Sequence, residues 1–227
     1  CVGLTCDLDN VTAPQMVTAE FIIEDFDGVP ADVENAGPNF GDGNGDGIPD
    51  AEQSDVASLP AADGGGYLSV EVSGACSQLN EVQTSVAITP DPDGYAYPFG
   101  LLGFSLPCET ATVTVLYHGI ESLAGLTYRK HGPNPPGSAS EIWYSMPGAV
   151  FGTTIVFGQT VATATFDLAD NALGDATGDD GQIVDPGGPG LPLAAIPTLG
   201  SLGLMILCLL LGAAGILIRR RSSQRSG

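Results

Sequence analysis

The chain has 227 residues and a formal charge of −21, from 27 acidic and 6 basic side chains. All the acids lie at or before Asp185, where Arg129 and Lys130 are the only bases, and the remainder carries arginines and no acid. So acidic a body repels nucleic acid and anionic lipid and attracts divalent cations, while 32 glycines and 17 prolines favour turns and strands over long helices.

The chain opens on Cys1 rather than methionine. This predicts a processed form or a fragment, with residues 1–24 the end of an upstream region. The segment 25–55 comes next as a pair of acidic loops. Asp25-Phe26-Asp27-Gly28-Val29-Pro30, with Glu34 behind it, repeats 19 residues later as Asn44-Gly45-Asp46-Gly47-Ile48-Pro49, with Gln53 behind it. In the second copy Asp42, Asn44, Asp46 and Asp50 fall at loop positions 1, 3, 5 and 9. Gly47 sits at the sharp bend, and Ile48 offers its carbonyl. That is the front of a calcium loop of EF-hand type, in which alternate oxygens converge on a hard cation. The bidentate glutamate expected at the twelfth position is replaced by Gln53. The first copy has its late carboxylate, Glu34, but lacks the earliest ligands. The candidate calcium ligands are therefore Asp25, Asp27, Glu34, Asp42, Asn44, Asp46, Ile48 and Asp50; a solvated acidic linker is the alternative. These units resemble thrombospondin type 3-like repeats, which implies calcium ligands shared between neighbouring loops.

Residues 56–185 read as a strand-rich body. Leu68, Val70 and Val72 alternate with polar neighbours, and Val82, Val86 and Ile88 share a face. The runs 111–117, 126–130, 141–145, 154–157 and 161–166 continue the pattern, with Gly, Pro and Asn between them. Seven or eight short strands predict an antiparallel β-sandwich, making the protein mainly β. Tyr95, Tyr97, Trp143 and Tyr144 are either a sugar-stacking patch or ordinary core and rim. A third oxygen-rich stretch, Asp167–Asp185, is either a further calcium loop or a solvated one. The ordered blocks Asn44–Gln53, Val56–Pro60, Tyr97-Pro98-Phe99-Gly100, Ala111–Val115, Tyr128–Pro133, Trp143-Tyr144 and Ile183–Pro189 resemble the choice-of-anchor U domain. That resemblance implies a bacterial surface protein and assigns no reaction.

Residues 186–198 read as a Gly/Pro linker ending in Ile196-Pro197-Thr198-Leu199. From Leu199 to Ile218 no residue is charged, and a helix of that length spans roughly 30 Å, the hydrocarbon thickness of a bilayer. Residues 199–218 are therefore the predicted transmembrane helix. Arg219, Arg220 and Arg221 open a basic tail, 219–227, that the positive-inside rule keeps cytoplasmic, with the body outside. The three parts together resemble the IPTL-CTERM sorting tail of exported Gram-negative proteins. The resemblance implies an exosortase-type processing enzyme as partner, although Gly200-Ser201-Leu202-Gly203 stands where an acidic or aromatic residue is usual.

In an exported chain Cys76 and Cys108 are expected to form a disulfide and Cys1 and Cys6 a local one; free buried thiols are the alternative. His118 and His131 are the only histidines. No Gly-x-Ser-x-Gly, His-Glu-x-x-His or zinc-like cysteine spacing accompanies them, so no enzyme is expected. The expected function is a calcium-stabilised surface module with a structural or presentation role. The alternative is an adhesin-like module that binds a glycan or a protein.

Overall fold

A computed structural model describes residues 25–87 and 89–193. The described chain begins with a short helix, α1 (Ala31–Asn35), and two 3-10 turns, Pro38–Phe40 and Asp50–Glu52. Eleven strands come after them: β1 (Val56–Pro60), β2 (Tyr67–Ser73), β3 (Asn80–Ser85), β4 (Tyr95–Ala96), β5 (Leu101–Leu106), β6 (Thr110–Tyr117), β7 (Thr127–Pro133), β8 (Glu141–Ser145), β9 (Val150–Val156), β10 (Gln159–Ala169) and β11 (Ile183–Pro192). One sheet runs β1-β2-β6-β10-β9 and the other β3-β5-β11-β7-β8, with β4 added on β11. Every pairing is antiparallel.

Period-two alternation puts the two inner faces together. The first sheet contributes Leu68, Val70 and Val72 of β2, Val113, Val115 and Tyr117 of β6, and Ala162, Ala164, Phe166 and Leu168 of β10. The second contributes Val82, Leu102, Phe104, Leu106, Tyr128 and Ile183 to the same cluster. The Tyr128 and Phe166 rings meet across the sheets with centroids 4.5 Å apart. The protein is thus mainly β and sandwich-like, and the acidic segment is built onto it: Val29 belongs to the same core.

Three features differ from the sequence expectation. The described residues hold eleven strands rather than seven or eight. β1 and β5 were hidden because most of their residues are buried on both faces and no alternation shows. Val86 is exposed, beyond the end of β3, and Ile88 lies outside the described residues. The stretch 186–192, expected as linker, is most of an interior strand. β11 pairs with β5 over Ile183–Gly187, with β7 over Gly187–Gly190 and with β4 at Leu191 and Pro192. Only Gly187 is registered on both sides. Pro186 and Pro189 therefore sit where one edge of the strand has no ladder partner, the setting in which a sheet tolerates a residue without an N–H.

Cys76 and Cys108 form the expected disulfide, with Cα atoms 5.7 Å apart. Among the described residues no helix is long and apolar enough to cross a membrane. Cys1, Cys6, the motif Ile196, Pro197, Thr198 and Leu199, the apolar run to Ile218 and Arg219, Arg220 and Arg221 lie outside the described residues.

Candidate metal centre

The first acidic copy folds as a tight turn running into α1. Asp25 Oδ1 accepts the Asp27 N–H at 3.3 Å, and Asp27 Oδ1 accepts the Val29 N–H at 2.7 Å. These side chain–backbone turns are what short acidic residues form most readily. Phe26 and Gly28 flank Asp27 with φ of 70° and 108°. At Gly28 a Cβ would lie 2.9 Å from the Glu81 Cα, so the turn and its seat on the body both require glycine. Pro30 then starts α1, and one helical turn brings Glu34 back over Asp25 and Asp27.

One carboxylate oxygen from each of Asp25, Asp27 and Glu34 lies within 4.8 Å of the others. Asp27 and Glu34 are fully buried. Glu34 Oε1 accepts the Ser58 N–H at 3.1 Å, whereas its Oε2 has no hydrogen-bond partner. Burial, and then the neighbouring Asp27, push the Glu34 carboxyl up to about 9, against the Ser58 N–H. The two bases of the body are occupied elsewhere: Arg129 with Asp91 and Asp93, Lys130 with Asp185. Oxygen-only ligands, high negative charge and an unsatisfied buried carboxylate oxygen fit a hard divalent cation.

The second copy is arranged differently. Asp42 accepts the N–H groups of Gly45, Asp46 and Gly47 at 2.8–3.1 Å. Asn44 Oδ1 accepts from Asp46 and Asp46 Oδ1 from Ile48. The Gln53 amide then donates to Asp46 Oδ1 at 3.4 Å and to the Ile48 carbonyl at 3.1 Å. The residue at the twelfth position thus closes the loop with an N–H, where a glutamate would have added a ligand.

Asp50 stands between the two turns. It is fully buried. Its Oδ2 accepts the Gly43 N–H at 2.9 Å and the Ser58 hydroxyl, while its Oδ1 has no hydrogen-bond partner. Ser58 therefore ties Glu34 to Asp50. Burial raises the Asp50 carboxyl to about 6, opposed by the Ser58 and Gly43 hydrogen bonds. Of the eight candidate ligands, the structure brings Asp25, Asp27 and Glu34 together, with Asp50 linked to Glu34 through Ser58. Asp42, Asn44, Asp46 and Ile48 form a separate, internally bonded turn.

No family model, curated protein or solved structure matches the chain.

A hydrogen-bonded chain leads away from Asp50. Ser58 faces Ser69 across β1 and β2, and their hydroxyl oxygens are 2.5 Å apart. Ser69 Oγ lies 2.8 Å from His118 Nε2. Each hydroxyl has one proton, so with Ser58 donating to ionised Asp50, Ser69 donates to Ser58 and His118 Nε2–H donates to Ser69. Burial lowers the His118 pKa, which favours the neutral ring. His118 lines an open cleft of about 530 Å³ with Tyr67, Glu121 and Gln159. Ser58 and Ser69 are fully buried, so neither offers an exposed hydroxyl nucleophile. Nothing in the sequence spacing marks this chain; strand register alone creates it.

The other candidates are bonded into the fold. In the third acidic stretch Asp175 is almost fully buried and accepts the N–H groups of Asn171, Thr177, Gly178 and Val184. Burial works to raise its pKa, but these donors outweigh it and hold the carboxyl below its usual range. Tyr97 stacks on Trp143 at 4.7 Å, and Tyr95 lies under the Arg129 guanidinium at 4.5 Å. Arg129 also grips Asp91 through two hydrogen bonds of 3.0 Å, so these aromatics belong to a strut that pins the 91–97 segment.

Proposed function

We propose that the chain is a calcium-stabilised β-sandwich module of an exported bacterial surface protein. It is sorted or anchored through its C-terminal segment and has a structural or presentation role. The observation that carries this reading is the convergence of Asp25, Asp27 and Glu34, with Glu34 Oε2 buried and unsatisfied. These three side chains would hold the cation, with Asp50 adding charge beside them. The cation supplies neutralisation: it offsets carboxylate repulsion and fixes the acidic turn on the sandwich. Extracellular sites bind calcium at about 10⁻⁴–10⁻³ M, so even a weak site fills outside the cell.

Export is supported by the disulfide, since thiols are kept reduced in the cytosol. It is also supported by the uncharged run that ends in Arg219, Arg220 and Arg221. Mass spectrometry of the protein from its native cells tests the location. The expected product is envelope-associated, with Cys76 and Cys108 oxidised, and either ends near Thr198 or keeps the arginine tail. Recovery of the whole chain from the cytosol with both thiols reduced contradicts the proposal.

A further inference from the structure

The only lysine in the chain is also one of its most deeply buried side chains: Lys130 is 0% exposed and Asp185, which it meets, 1%. Lys130 Nζ lies 2.5 Å from Asp185 Oδ1. The two residues sit on adjacent strands. Lys130 is registered opposite Gly187, so Asp185 lies two residues further along β11 on the same inward face, a diagonal pair within reach of a long side chain. Gly187 clears the path, because a Cβ there would come within 3.1 Å of the Lys130 Cγ and 2.9 Å of the Tyr128 ring.

The surroundings are apolar. Nζ is 4.9 Å from the centre of the Phe166 ring, and its other polar contact is the Gly174 carbonyl at 3.3 Å. Beyond Lys130, neither Asp185 oxygen has a partner. A charged pair so placed keeps its desolvation cost with little hydrogen bonding to offset it. Burial is the largest influence on both groups, lowering the amine and raising the carboxyl despite their mutual attraction and the nearby Asp175. Both shifts favour the uncharged forms, an amine nucleophile against a carboxylic acid.

We propose that Lys130 and Asp185 condense into an isopeptide bond that joins β7 to β11. The Nζ lone pair attacks the Asp185 Cγ and forms the new N–C bond. The carbonyl oxygen gains charge as it does so. The Tyr128 hydroxyl is buried without a hydrogen-bond partner two residues before Lys130, and Asp185 is near enough to add to the upward push that burial gives its pKa. Nitrogen then gives up a proton to the departing hydroxyl, the C–O bond breaks, and water leaves. Amine and acid become amide and water, with no oxidant, reductant or third reactant. The fold supplies the proximity that makes such a step effectively unimolecular.

Tryptic mapping of the full chain, reduced and denatured, tests this. Trypsin needs a free lysine amine. The expected digest is cut after Arg129 but not after Lys130, and its peptide starting at Lys130 is lighter by one water, with the loss placed on Lys130 and Asp185 by fragmentation. Lys130→Arg and Asp185→Ala should each restore the full mass. Because the wild-type digest decides the matter, it does not depend on either variant folding. Cleavage after Lys130 with an unmodified Asp185, or a water loss located elsewhere, overturns the proposal.

Discussion

Glu34 concentrates the cost of the acidic site in one side chain. Its carboxyl is raised from 4.5 in the unfolded chain to about 9 in the folded one. Between those limits the native protein holds a proton that the unfolded chain has released, so stability without metal falls as pH rises. Asp50, raised from 3.8 to about 6, adds a slope of the same sign at lower pH. In chelator, the melting temperature should therefore drop as pH goes from about 5 to about 8. Glu34→Gln, which keeps the shape and removes the titration, should flatten that drop. An equal slope in the variant would show that Glu34 is ionised in the folded metal-free protein. A metal reverses the sign, because it displaces the proton and binds better as pH rises.

At the scale of the element, the two acidic copies part at the residue that closes each turn behind the shared Asp-Gly-(Val/Ile)-Pro. Glu34 returns on α1 to close the first copy around carboxylates, and Gln53 closes the second around an amide N–H. Gln53→Glu should convert the second turn into a ligand set with Asp42, Asn44, Asp46 and the Ile48 carbonyl. Calorimetry should then show one more calcium bound per chain than in the wild type; an unchanged stoichiometry would mean that the turn cannot open to a cation. The repeat was legible in the sequence because its oxygen spacing is local. The link of Asp50 to Glu34 was not, since it depends on Ser58 of β1. The strands divide likewise. β2, β6 and β10 alternate and were readable, whereas β11 carries Pro186, Pro189 and glycines at 187, 188 and 190 and reads as linker. What makes it a strand is the staggered pairing with β4, β5 and β7, which no local pattern encodes. Lys130 and Asp185 are 55 positions apart and meet only through that register.

Over the whole molecule, one sandwich is fastened at separate places. The disulfide closes a 32-residue separation and contributes about 2–4 kcal/mol. The Arg129 strut holds the 91–97 segment, and the acidic turn is seated against β1 through Ser58. The acidic turn holds a fully buried carboxylate, Glu34, with one oxygen unsatisfied, and so it is the fastening that responds to solution. The direct measurement is thermal melting of the intact chain in chelator and in millimolar calcium, for the wild type and Glu34→Gln. Calcium at tenfold its dissociation constant stabilises by about 1.4 kcal/mol, a rise of about 3–6 °C for a chain of this size. The expected result is that rise in the wild type, its reversal by chelator and its loss in Glu34→Gln. A wild-type melting temperature indifferent to calcium, or an equal rise in the variant, would contradict it.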